Sequence, residues 1–131
     1  MEMPQEAETI LVVEDEEEVR NLISRILENE GYSVLAVGHP AEAVALSTSY
    51  EQQIDLLLAD LSLPDNSGRE LAQRLGAARP EMKLLYISGH ADTAVLEFGI
   101  FPEGMLFLPK PFTPTDLSSR VRQVLDAAPR V

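Results

Sequence analysis

"IDLLLADLSLPDNSG", residues 54–68, decides how this chain is read. Its first part, "IDLLLA", is an apolar run of strand length, the pattern of a strand covered on both faces. The run ends at Asp60, and a loop containing Pro64 and Gly68 follows. A carboxylate at the rim of a core needs a partner or a task. Taken alone, Asp60 reads equally well as a turn residue stabilising the loop behind it, so the surrounding chain has to decide.

Working outward, two periodicities alternate. "TILVV" (9–13), "YSVLAV" (32–37), "MKLLYI" (82–87) and "MLFL" (105–108) are further strand-like runs. From Glu16 the period changes: Val19, Leu22, Ile23, Ile26 and Leu27 form one apolar stripe of a helix that Gly31 stops. "PAEAVALSTSY" (40–50) is a weaker helix with Pro40 in its first turn. Ser67 and Glu70 stand in capping-box spacing ahead of Leu71, Ala72, Leu75 and Ala78, and Pro80 ends that helix. "DTAVLEF" (92–98) is a short helix closed by Gly99. Thr113 is a good N-cap and Pro114 a good first residue for a last helix striped by Leu117, Val121, Val124 and Leu125. Five strands alternating with five helices call for an α/β fold, a parallel sheet covered on both faces.

Composition narrows the functional classes. With 131 residues, 45% hydrophobic and 24% charged, the chain suits one soluble domain, read as 9–127 between short tails at 1–8 and 128–131. A net charge of −12 disfavours direct nucleic-acid binding and anionic membrane, and suits a cation or a basic partner. There is no cysteine, which excludes disulfides and thiolate metal sites and leaves the cytoplasm as the expected setting. No apolar run approaches the roughly 18 to 20 residues of a membrane span, so no membrane insertion is expected.

In a parallel sheet with right-handed crossovers every strand's carboxyl end lies on one edge, where ligands bind. "VVED" delivers Glu14 and Asp15 to that edge, the third strand Asp60, "YISGH" Ser88, and "FLPKP" Lys110. Crowded carboxylates oppose one another's ionisation. A hard divalent cation resolves the conflict: Mg²⁺ takes a few carboxylates and a carbonyl and keeps several waters. Lys110 offers a charge, and Ser88 a hydroxyl, to a phosphoryl oxygen, with Asp60 as nucleophile forming an acyl phosphate.

The motifs "ILVVEDE", "LLLADLSLPDNSG" in the pattern D-x-x-L-P-x-x-x-G, "LLYISG" and "LPKPF" are each weak, but together and in order they are specific. Over about residues 9–127 the chain resembles the receiver domains of two-component response regulators. The resemblance implies a flavodoxin-like (βα)5 doubly wound fold with strand order 2-1-3-4-5 and helices on both faces. Asp60 would take a phosphoryl group from a histidine kinase or histidine phosphotransfer protein. Asp15 would bind Mg²⁺ (or Mn²⁺) directly, Glu14 through a metal-bound water, and Ser62 through its main-chain carbonyl. Ser88 and Phe107 match the switch pair and Lys110 the phosphoryl-holding lysine, set inward by a cis Lys110–Pro111 bond. Phosphorylation would remodel the face formed by segments 92–98, 105–108 and 113–125. Ser62 and His90 occupy the positions that tune reaction rates in such domains. Ser88 and Gly89 replace the commoner threonine and alanine, and Phe107 the commoner tyrosine.

Plainer roles compete with these. Glu16 to Glu18 read as acids at a helix start, Asp55 and Asp65 as ordinary surface or turn acids, and His39 as a residue near a helix start. Ser88 could be a strand-end hydroxyl, Lys110 a solvated lysine and Phe107 a core residue. Two other functions stay open: a receiver-like binding module that takes no phosphate, and, more weakly, a Mg²⁺-dependent aspartate-nucleophile phosphohydrolase. Such hydrolases carry a second aspartate two residues after the nucleophile, where this chain has Ser62. Turnover of an external substrate is therefore not expected. The end at "DAAPRV" suggests a stand-alone regulator or a piece of a larger protein, and "LLYISGH" with "LPKPFTP" leans toward receivers of hybrid sensor kinases. A monomer or weak dimer is expected.

Overall fold

The apolar runs form one parallel sheet. A computed structural model describes residues 7–60, 67–88, 106–109 and 111–126, with the backbone alone for 67–69, 88, 106, 107 and 109. The strands are β1 (Thr9–Val13), β2 (Ser33–Val37), β3 (Leu56–Asp60), β4 (Lys83–Ser88) and β5 (Leu106–Pro109), in the order β2-β1-β3-β4-β5. The helices among the described residues are α1 (Glu17–Asn29), α2 (Pro40–Ser49), α3 (Ser67–Ala78) and α4 (Pro114–Asp126). The helix expected at 92–98 lies outside the described residues, as does the Lys110–Pro111 bond.

Alternation along the strands divides the core between two faces. Ile10, Val12, Leu56, Leu58, Leu85 and Ile87 meet Ile23 and Leu27 of α1 and Leu117, Val121 and Val124 of α4. Leu11, Val13, Leu57, Ala59 and Tyr86 meet Ala43 of α2 and Leu71 and Leu75 of α3. Because both faces are covered, the central strands β1 and β3 are buried at every position. The flavodoxin-like order and the two helical layers thus match the expectation. One detail does not: Leu22, assigned to the α1 stripe, is 47% exposed. At about 100° per residue it is rotated well away from Ile23 and Leu27, which define the buried centre of the stripe.

The helix ends follow local chemistry. Gly31, at φ 98°, closes α1: its N–H donates to the Glu28 carbonyl at 3.0 Å and that of Tyr32 to the Leu27 carbonyl at 3.1 Å. This paired pattern satisfies carbonyls that the helix leaves open and favours a residue without a Cβ. At the start of α4, Thr113 and Asp116 cap reciprocally, each backbone N–H donating to the other's side-chain oxygen at 3.0 Å. α3 begins at Ser67 itself, one residue earlier than its expected role as a cap.

Two arginines tie elements together with different strength. Arg79, just past α3, donates to the Ser47 hydroxyl at 2.9 Å and to the carbonyls of Ser47, Tyr50 and Gln52 at 2.9, 2.7 and 2.9 Å. One half-buried guanidinium therefore caps the last turn of α2 from a neighbouring helix. Arg122 of α4 bridges Glu8 and Asp126 at 2.9 and 2.8 Å and reaches the Tyr32 hydroxyl at 3.2 Å, but it is 46% exposed. Its bonds to Glu8, then to Asp126, hold its guanidinium still more firmly protonated, while burial pushes the Tyr32 phenol up. Charge-assisted bonds that shield backbone carbonyls outweigh solvent-screened surface pairs. In urea unfolding, Arg79→Ala is expected to cost about 2–3 kcal/mol. Arg122→Ala is expected to cost less than about 1 kcal/mol, shrinking further in salt.

Candidate functional site at the carboxyl edge of the sheet

Strand register builds the site. Val13 of β1 aligns with Ala59 of β3, so the next residues, Glu14 and Asp60, stand side by side where the order switches between β1 and β3. By strand alternation both continue the face of Val12 and Leu58, two positions earlier, which pack toward α1 and α4. Glu14 is 0% and Asp60 1% exposed, whereas Asp15 is exposed at the bend between β1 and α1. Carboxylate oxygens of Glu14, Asp15 and Asp60 all lie within 4.8 Å of one another.

The backbone around Glu14 is held at several points. Its N–H donates to the Val37 carbonyl at 3.1 Å, and its Oε2 accepts the Glu16 N–H at 3.1 Å. Its own carbonyl accepts Nη1 of Arg20 at 2.8 Å. Glu16, Glu17 and Glu18 are exposed, as expected of acids at a helix start. His39 is the extended residue preceding α2, also as expected. Asp55, read as an ordinary acid, has a definite task at the opposite edge, where its carboxylate accepts the Thr9 N–H at 2.7 Å.

Of the other expected site residues, Ser88 ends β4 one position beyond Ile87, the β-sheet partner of Asp60. Phe107 lies in β5, aligned with Tyr86. Ser62, His90 and Lys110 lie outside the described residues. The described part of the site is thus the acidic triad and the ends of the strands around it.

Chemically, the triad is a hard-oxygen donor set. At an effective dielectric of about 20, like unit charges 4.8 Å apart repel by about 3.5 kcal/mol, so carboxylates within that distance of one another favour a positive charge among them. Two buried acids with a third open to solvent fit a hard divalent cation that keeps part of its hydration.

This chain matches the response regulator receiver domain over residues 10–122. It belongs to that family. The receiver domain is 33% identical over 119 residues to the response regulator receiver protein CpdR of Brucella abortus (strain 2308), covering 91% of this chain and 98% of that protein. It is 30% identical over 118 residues to the sensor kinase CckA of the same strain; there 90% of this chain corresponds to only 12% of the kinase. Among solved structures it is similar to a response regulator receiver protein from Sinorhizobium medicae WSM419, with TM-score 0.79 and 33% identity, over 93% of this chain and 97% of that one. The chain is accordingly a receiver domain of two-component signalling, a class of generally non-catalytic signalling modules. No helix among the described residues is long and apolar enough to cross a membrane.

A cation that binds the folded triad stabilises the fold by mass action. A divalent ion at one hundred times its Kd should raise the urea unfolding free energy by about 2.7 kcal/mol. Asp15→Asn should remove most of that gain, measured by circular dichroism with and without the ion.

Proposed function

We propose that this receiver domain accepts a phosphoryl group on Asp60 from a phosphohistidine of a histidine kinase or histidine phosphotransfer protein. The observation that supports it best is the placement of Asp60, 1% exposed at the end of β3 with oxygens of Glu14 and Asp15 within 4.8 Å. An Asp60 oxygen attacks phosphorus in line; the O–P bond forms as the N–P bond breaks. The electron pair leaves with the imidazole nitrogen, and the product is an acyl phosphate on Asp60. Crowded negative charge would oppose that approach unless it is offset.

Glu14, Asp15, Asp60 and the Ser62 main-chain carbonyl would hold Mg²⁺, with Mn²⁺ as a substitute ion. Bound there, the ion supplies charge neutralisation at the phosphoryl oxygens. Asp15, the exposed acid, would be the direct ligand, and the more deeply buried Glu14 would act through water. Lys110 holds the phosphoryl group, Ser88 supplies a hydroxyl donor, and Phe107 follows Ser88 in the switch. Ser62 and His90 set the rates of phosphorylation and hydrolysis. These roles rest on the family resemblance, and for Ser88 also on its place at the end of β4.

The domain spans residues 9–127 and works in the cytoplasm, turning over no external substrate. Phosphorylation biases two arrangements of nearly equal free energy, because only one of them offers contacts to the phosphoryl group. A small phosphodonor with Mg²⁺ should add one phosphoryl mass to the intact protein. Asp60→Asn should abolish the addition, and chelation of the metal should slow it by at least about tenfold. Labelling of Asp60→Asn at the wild-type level would refute the assignment.

A further inference from the structure

We propose that Arg20 is a positioning residue of the cation site, and that Gly38 leaves the space in which its guanidinium lies. The proposal rests on the cation-binding role given above to Glu14, Asp15 and Asp60. Arg20 is on the first turn of α1, and its side chain turns back to the end of β1, where Nη1 donates to the Glu14 carbonyl at 2.8 Å. That carbonyl shares one rigid peptide plane with the N–H and Cα of Asp15. Asp15 lies in neither strand nor helix and is exposed, so the direction of its carboxylate depends on this plane.

Gly38 follows β2 across the same gap. An ideal Cβ at Gly38 would stand 2.8 Å from Arg20 Nη1 and 3.5 Å from its Cζ, and 3.9 Å from the Glu14 carbonyl oxygen. The clash falls on the far end of a flexible side chain, with the nearest backbone atom at ordinary contact distance. A methyl group there displaces the guanidinium while leaving the fold in place. Glu14 is thus gripped from β2 through Val37 and from α1 through Arg20, and the second grip depends on Gly38.

Two other roles for Arg20 predict different results. A purely electrostatic arginine beside three acids opposes a bound cation, so its removal tightens metal binding. A purely structural arginine lowers stability and leaves the metal affinity alone. The test uses the full chain and Mn²⁺ alone, with the free ion counted by electron paramagnetic resonance in wild type, Arg20→Ala, Gly38→Ala and the double variant. Positioning predicts that each single substitution weakens Mn²⁺ by roughly tenfold, the scale of lost ligand-orienting contacts. The double variant should be no weaker than the worse single variant, within about twofold, because both act through one contact.

The metal-free unfolding free energy of Gly38→Ala should stay within about 1 kcal/mol of wild type, about fivefold in the unfolding equilibrium constant, the entropy gain of alanine offsetting the lost hydrogen bond. This variant therefore decides the matter if Arg20→Ala folds poorly. Unchanged or tighter binding by Arg20→Ala, wild-type affinity in Gly38→Ala, or effects that multiply in the double variant would each overturn the proposal. A wild-type chain that fails to bind Mn²⁺ would overturn the cation site as well, whereas normal wild-type binding with unaffected variants would overturn this inference alone.

Discussion

Two carboxylates buried next to one another are the constraint on which this structure turns. Glu14 and Asp60 lie at the ends of neighbouring central strands with essentially no solvent exposure. A fold that only had to be stable gains little from such a pair, because desolvated like charges oppose the compact state. Their placement makes sense where positive charge is to be held among them. The open third acid, Asp15, fits that use, since a hydrated cation needs a solvent-facing route.

The sheet supplies the precision. Parallel pairing fixes β1 and β3 in register along four aligned pairs, so the two acids are adjacent by backbone hydrogen bonding. The alternating core then sets which face each acid takes. The bend after β1 is the less constrained part of the site, and it is there that contacts to Val37, Glu16 and Arg20 gather on a single residue. Rigid strands place the buried acids, while side-chain and main-chain bonds hold the turn that presents the exposed one.

Much of this was legible from residues alone because parallel α/β folds write their topology into hydrophobic pattern. Strands buried on both faces show as apolar runs such as "TILVV" and "LLLA", and the edge that collects their carboxyl ends follows from crossover handedness. Glu14, Asp15 and Asp60 group together on sequence alone. Contacts set by register or by helix packing left no comparable trace. Asp55 looked ordinary because its bond to Thr9 exists only once β1 and β3 align. Arg79 is an unremarkable residue before Pro80 until α2 and α3 are side by side. Arg20 sits in a helix whose apolar stripe says nothing of its polar side chains, and nothing in the pattern around Gly38 points to the guanidinium lying against it. Leu22 has stripe spacing yet is exposed, because spacing defines a stripe but not its edges.

The Arg79 clamp also bears on how this protein breathes. Ordinarily the last turn of a helix frays first, its carbonyls exchanging partners with water independently of the rest of the molecule. Here the final carbonyls of α2 are held by a group belonging to another segment. The end of α2 is therefore expected to open together with the α3 segment, on the layer of the core that Ala43, Leu71 and Leu75 share.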